Sequence, residues 1–276
     1  MCHNNQKKIA VINDLSGFGR CSIAVALPLI SHLGVQCCPL PTAIFSCHTG
    51  FPSYYFDDYT DSMGPYMAEW KKLGLEFEGI LTGFLGSQRQ IQLVEQFLKE
   101  FTTQRTQVII DPVMGDYGKP YATYTPEMCQ GMKSLVQYAN ILTPNLTEAC
   151  ILTDTPYREK FSEKELLCMA EQLCDQGPEK VVLTGVPRGG FLENYCYERD
   201  KGPSVHRIRR IAPQRSGTGD VFSSIVAAGA VQGVPFSQAV QTAAQFIRLC
   251  LQRSAELEIP VTDGVCFEEV ITKLKF

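Results

Sequence analysis

The chain has 276 residues, 45% of them hydrophobic, with a formal charge of -4 and an isoelectric point near 5.7. That length and apolar fraction allow a substantial core, the mild acidity leaves no basic stripe for a nucleic-acid backbone, and no run approaches the ~20 apolar residues that cross a bilayer. A single soluble domain over 1–276, without nucleic-acid or membrane partners, is expected.

The first eight residues are polar and lead straight into an apolar run with neither signal-peptide nor transit-peptide character, so the cytoplasm is the expected location. In chain order, expected strands over 9–12, 36–40, 79–82, 108–111, 141–143 and 181–184 alternate with expected helices over 22–33, 65–73, 87–101, 126–138, 146–152 and 163–176. Continuous runs such as Val108-Ile109-Ile110 read as strands buried on both faces, which implies a mainly parallel sheet with helices on each side. After Thr184 the pattern changes to two antiparallel strands over 191–197 and 205–209, joined by Asp200-Lys201-Gly202-Pro203. Helices over 221–232 and 237–253 close the pattern, with Gly233 suited to end the first of them. The twelve cysteines include no Cys-x-x-Cys pair for zinc and read as reduced, mostly buried thiols.

In a parallel α/β sheet, ligands bind beyond the carboxyl ends of the strands. The polar residues collect there, as Asn13-Asp14-Leu15-Ser16-Gly17-Phe18-Gly19, Thr82-Gly83-Phe84-Leu85-Gly86, Asp111-Pro112-Val113-Met114-Gly115-Asp116, Thr143-Pro144-Asn145-Leu146-Thr147-Glu148 and Thr184-Gly185. A further block, Arg215-Ser216-Gly217-Thr218-Gly219-Asp220, opens an apolar helical run. Its small residues let backbone N–H groups crowd around an anion at a helix N-terminus. Asp220 in the first turn is placed to take a proton from whatever attacks that anion, a pairing that suggests phosphoryl transfer. Asp14 reads equally as a cap for the next helix, Asp111 as a strand-end turn, and Asp116 with Glu148 as surface acids. The same two acids suit magnesium, which keeps most of its waters and needs only one or two carboxylates near nucleotide phosphates. Gly17-Phe18-Gly19 does not complete a dinucleotide fingerprint, because Ser22 stands where the third glycine belongs, and no Gly-Lys-Ser/Thr phosphate loop occurs.

Asp111-Pro-Val-Met-Gly-Asp116, Thr143-Pro-Asn-Leu-Thr-Glu148 and Gly217-Thr-Gly-Asp220 together resemble the signature blocks of the ribokinase-like superfamily, in its vitamin kinase branch. Phe45-Ser46-Cys47-His48-Thr49-Gly50 and Thr82-Gly83-Phe84-Leu85-Gly86-Ser87 resemble blocks of pyridoxal and pyridoxamine kinases, and the likeness runs from about residue 8 to residue 253. The resemblance implies a three-layer α/β/α sandwich with a mainly parallel central sheet and a short antiparallel extension. It also implies ATP-dependent phosphorylation of the 5′-hydroxymethyl group of a B6 vitamer, with magnesium and a monovalent cation, potassium, as cofactors. By the same likeness Asp220 is the base, and the amides of Gly217, Thr218 and Gly219 hold the transferring phosphoryl group. Asp116 and Glu148 act on magnesium through water, while Asp111, Thr143, Thr184 and Thr218 match positions for a monovalent cation and the nucleotide phosphates. Asn145 lies in the phosphate-facing block, Arg215 precedes the anion hole and suits a nucleotide phosphate, and Thr49 and Tyr124 match substrate contacts. A homodimer is implied on the same ground.

One departure bears on substrate. Pyridoxal kinases commonly carry Ser-His after the first strand, whereas Asp14-Leu15-Ser16-Gly17 is more similar to the opening of hydroxymethylpyrimidine kinases. A carboxylate there favours a substrate with N–H donors or a protonated ring. Hydroxymethylpyrimidine kinases usually end the anion-hole block in Cys, and this chain ends it in Asp220, which favours the B6 reading. Cys47 and His48 are not read as a nucleophile pair, since sequence neighbours on an extended segment point apart; His48 is expected to hydrogen-bond within the substrate loop. The aromatic stretch 51–59 is expected to cover part of the substrate, and 36–61 is too short for the inserted lid sheet of sugar kinases.

Overall fold

A computed structural model describes residues 5–121, 123–211 and 215–276, so half of the polar N-terminal stretch, Cys2 included, lies outside the described residues. The chain runs β1 (Lys8–Ser16), α1 (Ser22–His32), β2 (Gln36–Phe45), β3 (Phe56–Asp58), α2 (Thr60–Lys72), β4 (Gly79–Thr82), α3 (Gln88–Phe101) and β5 (Gln107–Ile110). A hairpin of β6 (Gly115–Asp116) and β7 (Lys119–Pro120) follows, then α4 (Pro126–Val136), β8 (Ile141–Leu142), α5 (Leu146–Leu152) and α6 (Glu163–Asp175). The rest is β9 (Lys180–Arg188), β10 (Phe191–Glu198), β11 (Gly202–Arg209), α7 (Thr218–Gln232), α8 (Phe236–Glu256) and two 3-10 turns, Val261–Asp263 and Glu268–Lys273.

Nine strands form one sheet in the order β11-β10-β9-β8-β5-β4-β1-β2-β3. Those from β9 to β2 pair in parallel, β10 and β11 extend one edge antiparallel, and β3 does so at the other. Side chains alternate across each strand, and the apolar runs supply both faces. Ile9, Val11, Leu81, Ile109, Ile141 and Val182 pack with α1, α7 and α8. Ala10, Ile12, Ile80, Val108, Ile110, Leu142 and Val181 pack with α2, α3, α4, α5 and α6. The result is the expected three-layer α/β/α sandwich, mainly parallel with a short antiparallel extension.

Helix starts follow local chemistry. Ser87 and Thr125 accept the amides of Gln90 and Met128, and Asn145 and Ser162 each form a reciprocal capping box with the glutamate three residues on. Several boundaries depart from expectation. Helix α2 begins at Thr60 rather than 65, because Asp58 accepts the Thr60 amide and Pro65 is carried inside the helix instead of opening it. Helix α7 begins at Thr218, so Gly219 and Asp220 already lie within it. Strands β1, β2 and β9 run past their expected ends, and β3, β6 and β7 are additional. All eleven described cysteines are free, six of them buried. Among the described residues no helix is long and apolar enough to cross a membrane.

Candidate active site

Strand register builds one row of side chains. Ile12 is level with Thr82, Thr82 with Ile110, and Ile110 with Leu142. The next residue of each, Asn13, Gly83, Asp111 and Thr143, therefore shares the face on which α7 packs. Asn13 accepts the amides of Asp14 and Phe84 at Oδ1, 2.9 and 2.8 Å. That fixes its amide orientation, and Nδ2 donates to Asp220 Oδ1 at 3.1 Å. Gly83 makes room for this arrangement: a Cβ there would lie 2.4 Å from Asn13 Cγ.

Asp220 reaches the row because α7 starts in an unusual way. Its N-cap, Gly217, has φ of 83°, and a Cβ there would lie 2.0 Å from the Arg20 carbonyl oxygen. A residue without Cβ is required on both counts. The first amides of α7 have no intrahelical acceptor and sit at the positive end of the helix dipole. Burial pushes the Asp220 carboxyl up to about 6; Asp14 adds to the rise, while the Ser22 amide and Asn13 oppose it.

Asp14 is not a helix cap. It lies within β1, α1 is capped at Cys21, and the Asp14 carboxylate accepts Ser22 Oγ at 2.6 Å and Ser16 Oγ at 3.0 Å. Its polarity is inverted for a strand end, with Asp14 buried and Leu15 37% exposed. Burial raises its pKa, and the two serines restrain the rise. Ser22 holds φ of 56°, a conformation costly for a serine, so that it can serve both acids.

Asp111 follows β5 rather than ending it, and burial together with the Asp220 charge raises its pKa. Glu148 is raised as well, by burial and then by Asp111. Its oxygens accept the Met114 and Asn145 amides at 3.2 and 2.8 Å. Asn145 returns a bond from Nδ2 to the Gly115 carbonyl, and Thr147 Oγ1 accepts the Gly118 amide, both at 2.8 Å. The β6–β7 hairpin is thus strapped to the first turn of α5, which brings Asp116 beside Glu148. The Asp116 carboxyl is raised by burial. Such mutually repelling acids fit a cation, and so does the Thr143 hydroxyl, buried in the same row as Asp111. Among the described residues no three acidic, His or Cys side chains converge as a metal cage, so a divalent ion would keep waters there.

The remaining expected residues are dispersed. Thr218 Oγ1 donates to the Arg215 carbonyl, and the buried Arg215 guanidinium donates to the Pro260 carbonyl at 2.8 Å. Thr184 Oγ1 turns to the Pro144 carbonyl. Thr49 is exposed on the loop after β2. Tyr124 is 7% exposed and packed in the apolar core with its hydroxyl unpartnered, and its ionisation is opposed by burial and by the charge of Glu148, one of the acids. Tyr121 is the phenol that faces them: burial and the charges of Glu148, Asp116, Asp111 and Asp220 all oppose its ionisation. Asn13, Ser22 and Tyr121 had not been singled out from sequence. Asn13 could have been, since it directly follows an apolar strand as Asp111 does.

A three-layer sandwich that sets a glycine-capped helix start over a row of strand-end acids defines a ribokinase-like fold. The sequence profile of the phosphomethylpyrimidine kinase family matches residues 71–262, and the chain belongs to that family, on its vitamin B6 kinase branch. It is 39% identical to a candidate phosphomethylpyrimidine kinase of Bacteroides thetaiotaomicron, with TM-score 0.97 and coverage of 100% of this chain and 96% of that one. An orthorhombic crystal form of that description contains pyridoxal, with 38% identity, TM-score 0.95 and coverage of 99% and 96%. A candidate pyridoxal kinase of Caenorhabditis elegans is 30% identical over 78% of this chain and 70% of its own. The pyridoxal kinase of Arabidopsis thaliana is 27% identical over 70% of this chain, and the match spans 64% of that relative's length.

Proposed function

We propose that this protein transfers the terminal phosphoryl group of ATP to the 5′-hydroxymethyl group of pyridoxal, pyridoxine or pyridoxamine. The observation that carries the reading is Asp220 at the start of α7, held by Asn13 at the strand-end row, in a helix start whose N-cap Gly217 makes no side-chain cap bond. Phosphoryl transfer needs alignment and positive potential where charge spreads, and little covalent work from the protein. Asp220 would accept the alcohol proton, and the amides of Gly217, Thr218 and Gly219 would hold the equatorial oxygens. Asp14, Thr49 and Tyr124 would hold the substrate. Asn145, Thr184, Thr218 and Arg215 would border the nucleotide. Magnesium, when bound, supplies charge neutralisation on the phosphates, and Asp116 and Glu148 would hold it through water; Asp111 and Thr143 would hold a monovalent cation, potassium. The homodimer and the cytoplasmic location complete the proposal.

A second reading, a hydroxymethylpyrimidine kinase, draws on the matching family profile and on Asp14. A coupled ADP-release assay with pyridoxal, pyridoxamine, pyridoxine, hydroxymethylpyrimidine and ribose separates the two. The highest kcat/KM is expected on a B6 vitamer; a lead for hydroxymethylpyrimidine would replace the first reading, and no turnover on any would remove both.

A further inference from the structure

Three loops bordering the proposed substrate pocket converge on one short stretch of main chain. Arg215, just before the anion hole, donates to the Pro260 carbonyl at 2.8 Å. His48, in the loop after β2, reaches the Thr262 carbonyl at 2.7 Å. Arg20, in the loop after β1, donates to the Asp263 carbonyl at 3.1 Å. Close packing seals the stretch against the β1 loop: at Gly264 a Cβ would lie 2.5 Å from the Gly19 carbonyl oxygen.

His48 is the joint of this assembly. Its Nδ1 accepts the Gly50 amide at 3.1 Å, so the ring nitrogen facing Thr262 must carry the proton and donate it. The ring packs on Phe51 at 4.8 Å, and Phe51 in turn packs on Phe18 at 5.6 Å. Gly19 leaves the space the imidazole fills, since a Cβ there would lie 2.3 Å from His48 Cδ2. One side chain thereby fixes both neighbours of Thr49, the residue between His48 and Gly50.

We propose that His48 is a positioning residue: its bond to the Thr262 carbonyl holds the loop carrying Thr49 in its substrate-binding place, so that the segment 260–264 sets the substrate side of the pocket without touching substrate. The inference rests on the B6 kinase reading of the site. The conservative variants divide the two bonds, because a Gln amide nitrogen can stand near Nε2 and an Asn amide oxygen near Nδ1. In His48→Ala and His48→Asn, KM for pyridoxal is expected to rise about tenfold, the scale of one lost hydrogen bond. KM for ATP is expected to stay at the wild-type value, and His48→Gln to recover most of the loss. Melting curves verify that each variant is folded. An unchanged pyridoxal KM in all three, an Asn variant better than the Gln variant, or equal rises in both KM values would overturn the proposal. Wild-type protein inert on pyridoxal would instead overturn the kinase reading on which it rests.

Discussion

A carboxylate that accepts a proton from an alcohol gains from a pKa raised toward neutrality, and burial gives this to Asp220, the proposed base. Because burial pushes the Asp220 carboxyl up to about 6, kcat/KM on the preferred vitamer should be level above neutral pH and fall as pH drops through 6, where the proposed base becomes protonated. Asp220→Asn should remove turnover while sparing nucleotide binding; a variant keeping more than about a tenth of the wild-type rate would falsify the role. The pH–rate profile and single-turnover assays make both checks. Asp220 and its glycines stand out in sequence because the parts of the proposed anion hole are contiguous at one helix start. Asn13 and Tyr121 do not, since what makes them important is register between strands and the folding back of a hairpin.

At the scale of elements, the start of α7 is the most constrained feature. Gly217→Ala forces a methyl group toward the Arg20 carbonyl at 2.0 Å and places an L-residue at φ of 83°. A loss of about 1–3 kcal/mol is expected, together with weakened ADP binding, read by thermal melting and titration calorimetry. Gly189→Ala, also at positive φ but with open space around it, should cost less and leave ADP binding intact. The long elements are readable because strands buried on both faces are continuous apolar runs and helices repeat with their own period. The short strands β3, β6 and β7 are two or three residues long and carry Asp, Gly, Lys and Pro, so no periodicity announces them. Only their partners make them strands.

For the whole molecule, the cost of crowding Asp14, Asp111, Glu148 and Asp220 together should appear as a stability that ligands restore. These groups have raised pKa values in the folded protein, so the stability they contribute is present at acid pH and is lost as pH rises toward neutrality. Magnesium with ADP at about a hundred times its dissociation constant adds ~2.7 kcal/mol. At roughly 2–4 °C per kcal/mol for a chain of this size, melting should rise by several degrees. The rise should be larger at pH 7.5 than at pH 5.5, as scanning calorimetry can test; equal rises would mean the acids do not meet the ligand.

The strapping of the β6–β7 hairpin to α5 has a mechanical corollary. Asp116 and Glu148 belong to one rigid body in the layer that also contains α3 and α4, while Asp220 rides on α7 in the opposite layer. The Asn13–Asp220 bond couples Asp220 to the strand ends, so a tilt of either layer would strain that bond first. The spacing between the two halves of the proposed site is therefore set by the packing of β1, β4, β5 and β8 together with that bond, and a void opened beneath those strands would loosen both.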